Sequence, residues 1–81
     1  MIDVVDVRHL HDYTLWLRFS DGAEGEVDLR ADMWGEAFAP LRDVSMFRRV
    51  FVNTETGTIE WPGGVDVAPE HLRSLVRGSP V

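Results

Sequence analysis

A run of alternating apolar and polar side chains, from Tyr13 to Ser20, constrains the fold of this chain more than any other feature. One side of the run carries Tyr13, Leu15, Leu17 and Phe19, and the other carries Thr14, Trp16, Arg18 and Ser20. A period of two is typical of a β-strand with one buried face. The dipeptide Asp21-Gly22 follows and favours a two-residue type I′ turn, in which both residues need positive φ. The run therefore predicts the first strand of an antiparallel hairpin.

Two further segments extend this hairpin into a sheet. Residues 4–10 are rich in β-formers, and their alternation separates Val5, Val7 and His9 from Val4, Asp6 and Arg8. Residues 23–29 return from the turn with two apolar side chains inside, Val27 and Leu29, and three acids outside, Glu24, Glu26 and Asp28. Together the segments predict a three-stranded antiparallel meander.

The second half of the chain predicts a further hairpin and two helices. Gly35 and Pro40 interrupt residues 30–40, which favours a loop with one helical turn. Asp43 suits the N-cap of a short helix, and residues 50–53 and 58–61 suit a hairpin. Pro69 suits the first position of a C-terminal helix. The predicted class is α+β, with a meander, a second hairpin, a short middle helix and a C-terminal helix. These form one domain over residues 1–77, followed by a flexible tail at 78–81.

Charge and composition exclude several classes of function. Fourteen acids outnumber eight bases, all of them arginine, and the net charge is −6. This excess opposes binding to phosphate backbones, so direct nucleic-acid binding is not expected, whereas a basic protein partner is easily accommodated. There is no cysteine, which excludes disulfides and thiolate metal sites. Without a long apolar run or a secretory signal, the chain is predicted to be cytoplasmic and without a membrane span.

Four motifs follow one another along the chain: LWLRFSDG at 15–22, VDL at 27–29, FAPLRD at 38–43 and IEWPGGVDVAPEHL at 59–72. In this order they resemble the small bacterial proteins of the family called domain of unknown function 2442. The resemblance covers about residues 2–76 and implies a compact α+β fold with no established activity. Ala68 departs from the family pattern, which often has serine at this position. As a result, no side-chain oxygen is present there to cap the following helix.

The resemblance also bears on partners. Genes of similar proteins are commonly found beside another small uncharacterised protein, domain of unknown function 4160, an arrangement that suggests a toxin–antitoxin-like pair. Some members of the family carry a helix-turn-helix module, which this sequence lacks. The resemblance therefore implies protein pairing and gives no route to direct DNA binding.

Two groups of titratable side chains are incomplete as sites. His9 and His11 form an H-x-H pair, but a zinc site needs three or four ligands, so no metal or other cofactor is predicted. Asp66, Glu70 and His71 surround the start of the C-terminal helix and offer a carboxylate and an imidazole for general acid–base work. No nucleophile accompanies them, and turn and helix-end roles explain both acids. No catalytic residue is therefore assigned.

The tryptophans carry the strongest functional signal. Trp61 alternates in phase with Ile59 and is predicted to lie in the core. Trp16 shares its strand face with Arg18, and Trp34 lies in the irregular segment. Tryptophan beside arginine is typical of interface hot spots. The alternative is that residues 33–41 fold back over this face and cover Trp16.

We therefore predict a non-enzymatic protein-binding or regulatory module that pairs with a neighbouring gene product. The predicted contact residues are Trp16, Arg18, Trp34, Glu24 and Glu26. Two alternatives stay open: a small enzyme or accessory subunit that uses the acids and His71, and a homodimer that pairs its sheet edges or faces.

Overall fold

The computed structural model describes residues 2–76 of the chain. Its strands are β1 Val4–His11, β2 Thr14–Phe19, β3 Glu24–Asp28, β4 Phe51–Asn53 and β5 Thr58–Glu60. The helices are two 3₁₀ helices, Arg30–Trp34 and Glu36–Arg42, and two α-helices, α1 Val44–Phe47 and α2 Pro69–Leu75. This arrangement confirms the predicted α+β class. The predicted tail at 78–81 lies outside the described residues.

Strands β1, β2 and β3 form an antiparallel sheet in that order, which confirms the meander. The predicted type I′ turn between β2 and β3 is wrong. The N–H of Phe19 donates to the carbonyl of Ala23 at 2.8 Å, and the N–H of Gly22 donates to the carbonyl of Phe19 at 3.0 Å. Gly22 has a φ of 89°, whereas the φ of Asp21 is not positive. The connection is therefore a three-residue loop, residues 20–22, in which a turn is followed by a left-handed glycine.

Strand β1 departs from simple alternation near its start. Its register with β2 shifts between Val4 and Asp6, as expected for a β-bulge. Val4 is consequently buried while Val5 is 46% exposed, so the prediction that Val5 shares one strand face with Val7 and His9 is wrong. Beyond the bulge, Val7 and His9 are half-buried, and Arg8 is exposed on the opposite face.

The segment between the sheets is more regular than the predicted loop with one helical turn. Arg42, in the second 3₁₀ helix, donates from Nε to the carbonyl of Met33 at 2.6 Å and from Nη2 to that of Trp34 at 3.1 Å. These bonds satisfy carbonyl groups at the end of the first 3₁₀ helix. Asp43 caps α1 as predicted, since its Oδ1 accepts the N–H of Ser45 at 3.0 Å.

Strands β4 and β5 form the predicted second hairpin. Gly57 in its turn joins it to the first sheet, because the N–H of Val4 donates to the Gly57 carbonyl at 2.8 Å. Gly57 has a φ of 74°, and a Cβ placed there would lie 2.3 Å from Oδ1 of Asp3. The positive φ therefore favours glycine here, and a Cβ would in addition force the Asp3 side chain to move.

The C-terminal helix follows the Pro-Gly-Gly turn and begins at Pro69. Ala68 is its N-cap and supplies no side-chain hydrogen bond, as its residue type predicts. Arg73 fixes the helix to the first hairpin, because its Nε lies 3.2 Å from Oδ2 of Asp21. Leu72 is completely buried and Leu75 is half-buried against the core, so these side chains form the apolar face of the helix.

A single hydrophobic core joins the inner face of the first sheet to the helices and the second hairpin. Its buried residues are Val4, Leu15, Leu17, Phe19, Val27, Leu29, Met33, Leu41, Phe47, Ile59, Trp61, Val67 and Leu72. The indole N–H of Trp61 donates to the carbonyl of Phe47 at 2.6 Å, and the two rings lie 5.5 Å apart. Trp61 thus occupies the core as predicted. Among residues 2–76, the helices are too short or too polar to cross a bilayer.

Candidate functional site

The outer face of the three-stranded sheet is the surface opposite the core, and strand register decides which side chains meet there. Trp16 lies between Arg8 on β1 and Glu26 on β3. In the adjacent row, Arg18 lies between Asp6 and Glu24. We call these six residues the sheet-face patch. The pairing therefore brings together four of the five predicted contact residues, Trp16, Arg18, Glu24 and Glu26.

Trp16 is the half-buried aromatic residue of the sheet-face patch. The guanidinium carbon of Arg8 lies 5.5 Å from the centre of its ring, a cation–π geometry. Within residues 2–76, Trp16 is not among the apolar side chains that form the core or pack against it. Its cross-strand neighbours are the charged residues Arg8 and Glu26, and the tryptophan itself is only partly buried.

Arg18 provides the second cation of the patch. Its Nη2 lies 3.9 Å from Oδ2 of Asp6, and the two side chains are 51% and 40% exposed. An ion pair that is this exposed and this long contributes little to stability. Arg18 can therefore exchange Asp6 for another anion at small cost.

The segment at 33–41 lies on the core side of the sheet. Met33 and Leu41 are both buried in the core cluster with Leu15 and Leu17, whereas Trp16 is outside that cluster. Because side chains alternate between the faces of a strand, residues that contact Leu15 and Leu17 lie opposite Trp16. These two anchors of the segment are thus turned away from the sheet-face patch.

Trp34, the fifth predicted contact residue, lies in a different place. It ends the first 3₁₀ helix and is 76% exposed. Its ring packs on Arg42, whose guanidinium carbon is 5.5 Å from the ring centre. A cleft of about 190 Å³ opens here, lined by Tyr13, Arg30, Met33, Trp34 and Arg42. We call it the Trp34 cleft, and its lining is distinct from the sheet-face patch.

His71, at the start of the C-terminal helix, contacts an acid from another part of the chain. The Nε2 atom of His71 lies 3.0 Å from Oδ1 of Asp32, a residue 39 positions away in sequence. Asp66 instead pairs through its backbone with Glu60, in an isolated β-bridge. Sequence spacing gave no sign of this contact, because α2 and the first 3₁₀ helix meet through a non-local contact. The imidazole and the Asp32 carboxylate are 46% and 26% exposed, as expected of a surface tether.

The two histidines of the H-x-H pair are separated by an irregularity in strand pairing between His9 and His11. Nε2 of His9 lies 2.9 Å from the carbonyl oxygen of Asp12, and the His9 ring packs edge-on against Phe47 at 5.9 Å. His11 lies 3.7 Å from the Asp12 carboxylate. In the described part of the chain, no three residues among His, Cys, Asp and Glu are grouped as metal ligands.

Among residues 2–76, the carboxyl groups of Asp21 and Asp43 have lowered pKa values, and both shifts have structural causes. The N–H of Ala23 lowers the pKa of Asp21, assisted by the nearby Arg73 guanidinium. The hydroxyl and N–H of Ser45 lower the pKa of Asp43 at the N-cap of α1. Hydrogen bonds to the ionised form favour that form, so both groups act as fixed acceptors that hold a turn and a helix end.

The match to a family decides the identification. The family described as "Protein of unknown function (DUF2442)" matches residues 4–78. The chain belongs to this family. The matched range contains both the sheet-face patch and the Trp34 cleft of the DUF2442 domain. No curated protein and no solved structure matches the chain significantly.

Several residues of these surfaces were not among the predicted contact residues, and Arg8, Tyr13 and Arg42 show why. Arg8 was placed on the correct face of β1, but its position beside Trp16 depends on strand register, which alternation alone does not give. Tyr13 and Arg42 meet across 29 residues in the Trp34 cleft of this DUF2442 domain, where the Tyr13 hydroxyl donates to the Arg42 carbonyl. No local pattern signals either contact.

Proposed function

We propose that this chain is a cytoplasmic bacterial protein-binding module that pairs with the product of a neighbouring gene, in a toxin–antitoxin-like or regulatory relationship. The sheet-face patch is the contact surface. The observation that carries the proposal is the position of Trp16, which lies outside the core with Arg8 stacked on its ring.

Physical features of the patch support this role. An antiparallel sheet can leave one face to water, and such a face is normally polar, so a central tryptophan needs another reason. Tryptophan and arginine are the residues most enriched in interface hot spots. The patch also contains Asp6, Glu24 and Glu26 in a chain of net charge −6, which favours a partner with basic residues around an apolar centre.

The test is to co-express the chain with the product of the adjacent gene, purify the complex and titrate variants by calorimetry. Trp16→Ala should weaken binding by about 2 kcal/mol, or about 30-fold, because it removes the hot-spot side chain. Phe51→Ala is the matched control, since Phe51 is another partly exposed aromatic residue (41%) but lies on the second hairpin. Its affinity should equal that of the wild type.

The charged residues of the patch should affect binding differently. Charge reversal at Glu24 and Glu26 should slow association and flatten its dependence on salt, as rim charges do. If Trp16→Ala binds normally while these reversals abolish the complex, the acids and not the tryptophan form the interface. If the two proteins do not co-purify at low salt, pairing with the adjacent gene product is wrong.

A further inference from the structure

The Trp34 cleft is held open by the protein itself. The Tyr13 hydroxyl donates to the Arg42 carbonyl, and the Arg42 side chain donates to the carbonyls of Met33 and Trp34. Met33 is buried in the core and forms the floor. The two aromatic walls are therefore positioned before any ligand arrives, which reduces the entropy lost on binding.

The cleft concentrates positive charge in an acidic protein. The guanidinium carbon of Arg30 lies 5.2 Å from the centre of the Tyr13 ring, and that of Arg42 lies 5.5 Å from that of Trp34. Two of the eight arginines thus line one small cleft, whereas the net charge of the chain is −6. A guanidinium stacked on an aromatic face is weakly hydrated and binds carboxylates with good geometry.

Both arginines keep hydrogen-bond donors for a ligand. A guanidinium has five N–H donors, and Arg42 directs donors from two of its nitrogens to the carbonyls that hold the cleft. Arg30 faces Asp12, but Nη2 is 3.9 Å from Oδ2, which is longer than a hydrogen bond. Asp28, next to Arg30, already accepts the backbone N–H of that residue at 2.8 Å. A carboxylate entering the cleft would find donors from both sides.

The size of the cleft limits what can occupy it. Its volume of about 190 Å³ is below the range of roughly 300–1,000 Å³ that is typical of small-molecule sites. A wider and more open depression of about 480 Å³, lined by Asp28, Arg30, Ala31 and Trp34, shares Arg30 and Trp34 with it. The volume of the Trp34 cleft suits one side chain that has a short apolar stem and ends in a carboxylate. Met33 and the two aromatic rings can contact the stem, and Arg30 and Arg42 can bind the carboxylate.

We propose that the Trp34 cleft binds a glutamate side chain presented by an acidic segment of a protein partner. The site goes beyond the pairing surface proposed above and does not depend on it, because the two share no residue. Trp34, 76% exposed, supplies the aromatic contact, and Arg30 supplies the charge that distinguishes glutamate from an uncharged isostere.

The test follows the indole N–H resonances of the ¹⁵N-labelled protein during titration with acetyl-Gly-Glu-Gly-amide. The Trp34 resonance should shift and saturate in the millimolar range, and the isosteric Gln peptide should bind about tenfold more weakly, since it lacks the charge-assisted hydrogen bonds. The Trp16 resonance reports the sheet-face patch, and that of Trp61, bonded to Phe47 in the core, serves as the internal reference. Neither should shift.

Three variants complete the experiment. Arg30→Gln should remove the preference for the Glu peptide over the Gln peptide. Arg49→Gln should keep this preference, because it removes an equal charge at an exposed position outside the cleft. Trp34→Ala removes the reporter resonance, so its loss of binding is read from backbone amides of Met33 and Arg42. Equal affinity for the two peptides, unchanged binding to Arg30→Gln, or a saturating shift at Trp16 would each overturn the proposal. So would the absence of a saturable shift at Trp34.

Discussion

Replacement of Trp61 tests the assignment of the core most directly. The side chain is completely buried, and its indole N–H donates to the carbonyl of Phe47 at 2.6 Å. Truncating a buried tryptophan to alanine costs about 3–5 kcal/mol, and the orphaned carbonyl adds about 1–3 kcal/mol. At about 0.05–0.15 kcal/mol per residue, a domain of this length has roughly 4–12 kcal/mol in total. Trp61→Ala should therefore lose most of the stability of the domain, about 4–8 kcal/mol.

Urea titrations followed by far-UV circular dichroism provide the measurement, because this signal does not depend on the tryptophan removed. Trp61→Phe keeps an aromatic ring and loses the hydrogen bond, so it should lose at least about 1–3 kcal/mol. With a slope of about 1 kcal/mol per molar urea, its midpoint should fall by about 1–3 M. Trp34→Ala, at the exposed position, should stay within about 0.5 kcal/mol of the wild type. Equal midpoints for Trp61→Ala and Trp34→Ala would refute the assignment of the core.

Three further outcomes are expected. In the same urea assay, Trp16→Ala should remain folded. Its free energy of unfolding should fall by no more than about 1 kcal/mol, which is the size of one exposed cation–π contact. Gly57→Ala should be less stable than Gly22→Ala by urea titration. Both glycines have positive φ, but only at Gly57 would the new Cβ meet another side chain, Oδ1 of Asp3, at 2.3 Å. Equal losses of stability in the two variants would contradict this close approach. The lowered pKa of Asp43 means that its ionised form stabilises the fold above the ordinary value of 3.8, and this contribution disappears as the pH falls through the lower folded pKa. Asp43→Asn still caps α1 but does not titrate, so the melting temperatures of wild type and variant should converge below pH 3.8. A difference in melting temperature that stays constant across this pH range would contradict the role of the ionised carboxylate.

Alternation predicted the interior of the sheet well, because it is a local pattern that burial enforces. Leu15, Leu17 and Val27 are all completely buried, as the period of two requires. The same rule failed at Val5, since a bulge adds one residue and inverts the phase without leaving a trace in residue type. The Asp21-Gly22 turn failed for a related reason: the dipeptide is compatible with more than one loop length.

The candidate sites were less predictable, because they depend on contacts between distant segments. Strand register places Arg8 beside Trp16, and register is set by the pairing of whole strands. His71 is paired with Asp32, in the 3₁₀ helix, and neither residue has a local feature that points to the other. The sequence directed attention to tryptophan beside arginine, but it grouped Trp16 and Trp34 as one contact set, whereas the fold places them on two separate surfaces.

The position of β3 at one edge of the sheet has a consequence for self-association. An edge strand offers unpaired backbone groups to any other strand, including β3 of a second copy. Glu24 and Glu26 are exposed on this strand, and an antiparallel pairing of two β3 strands with their outer faces aligned would bring acids opposite acids. Like charges in that arrangement destabilise the pair. The acids of β3 thus oppose edge-to-edge pairing between identical chains. They would instead attract a strand that carries lysine or arginine.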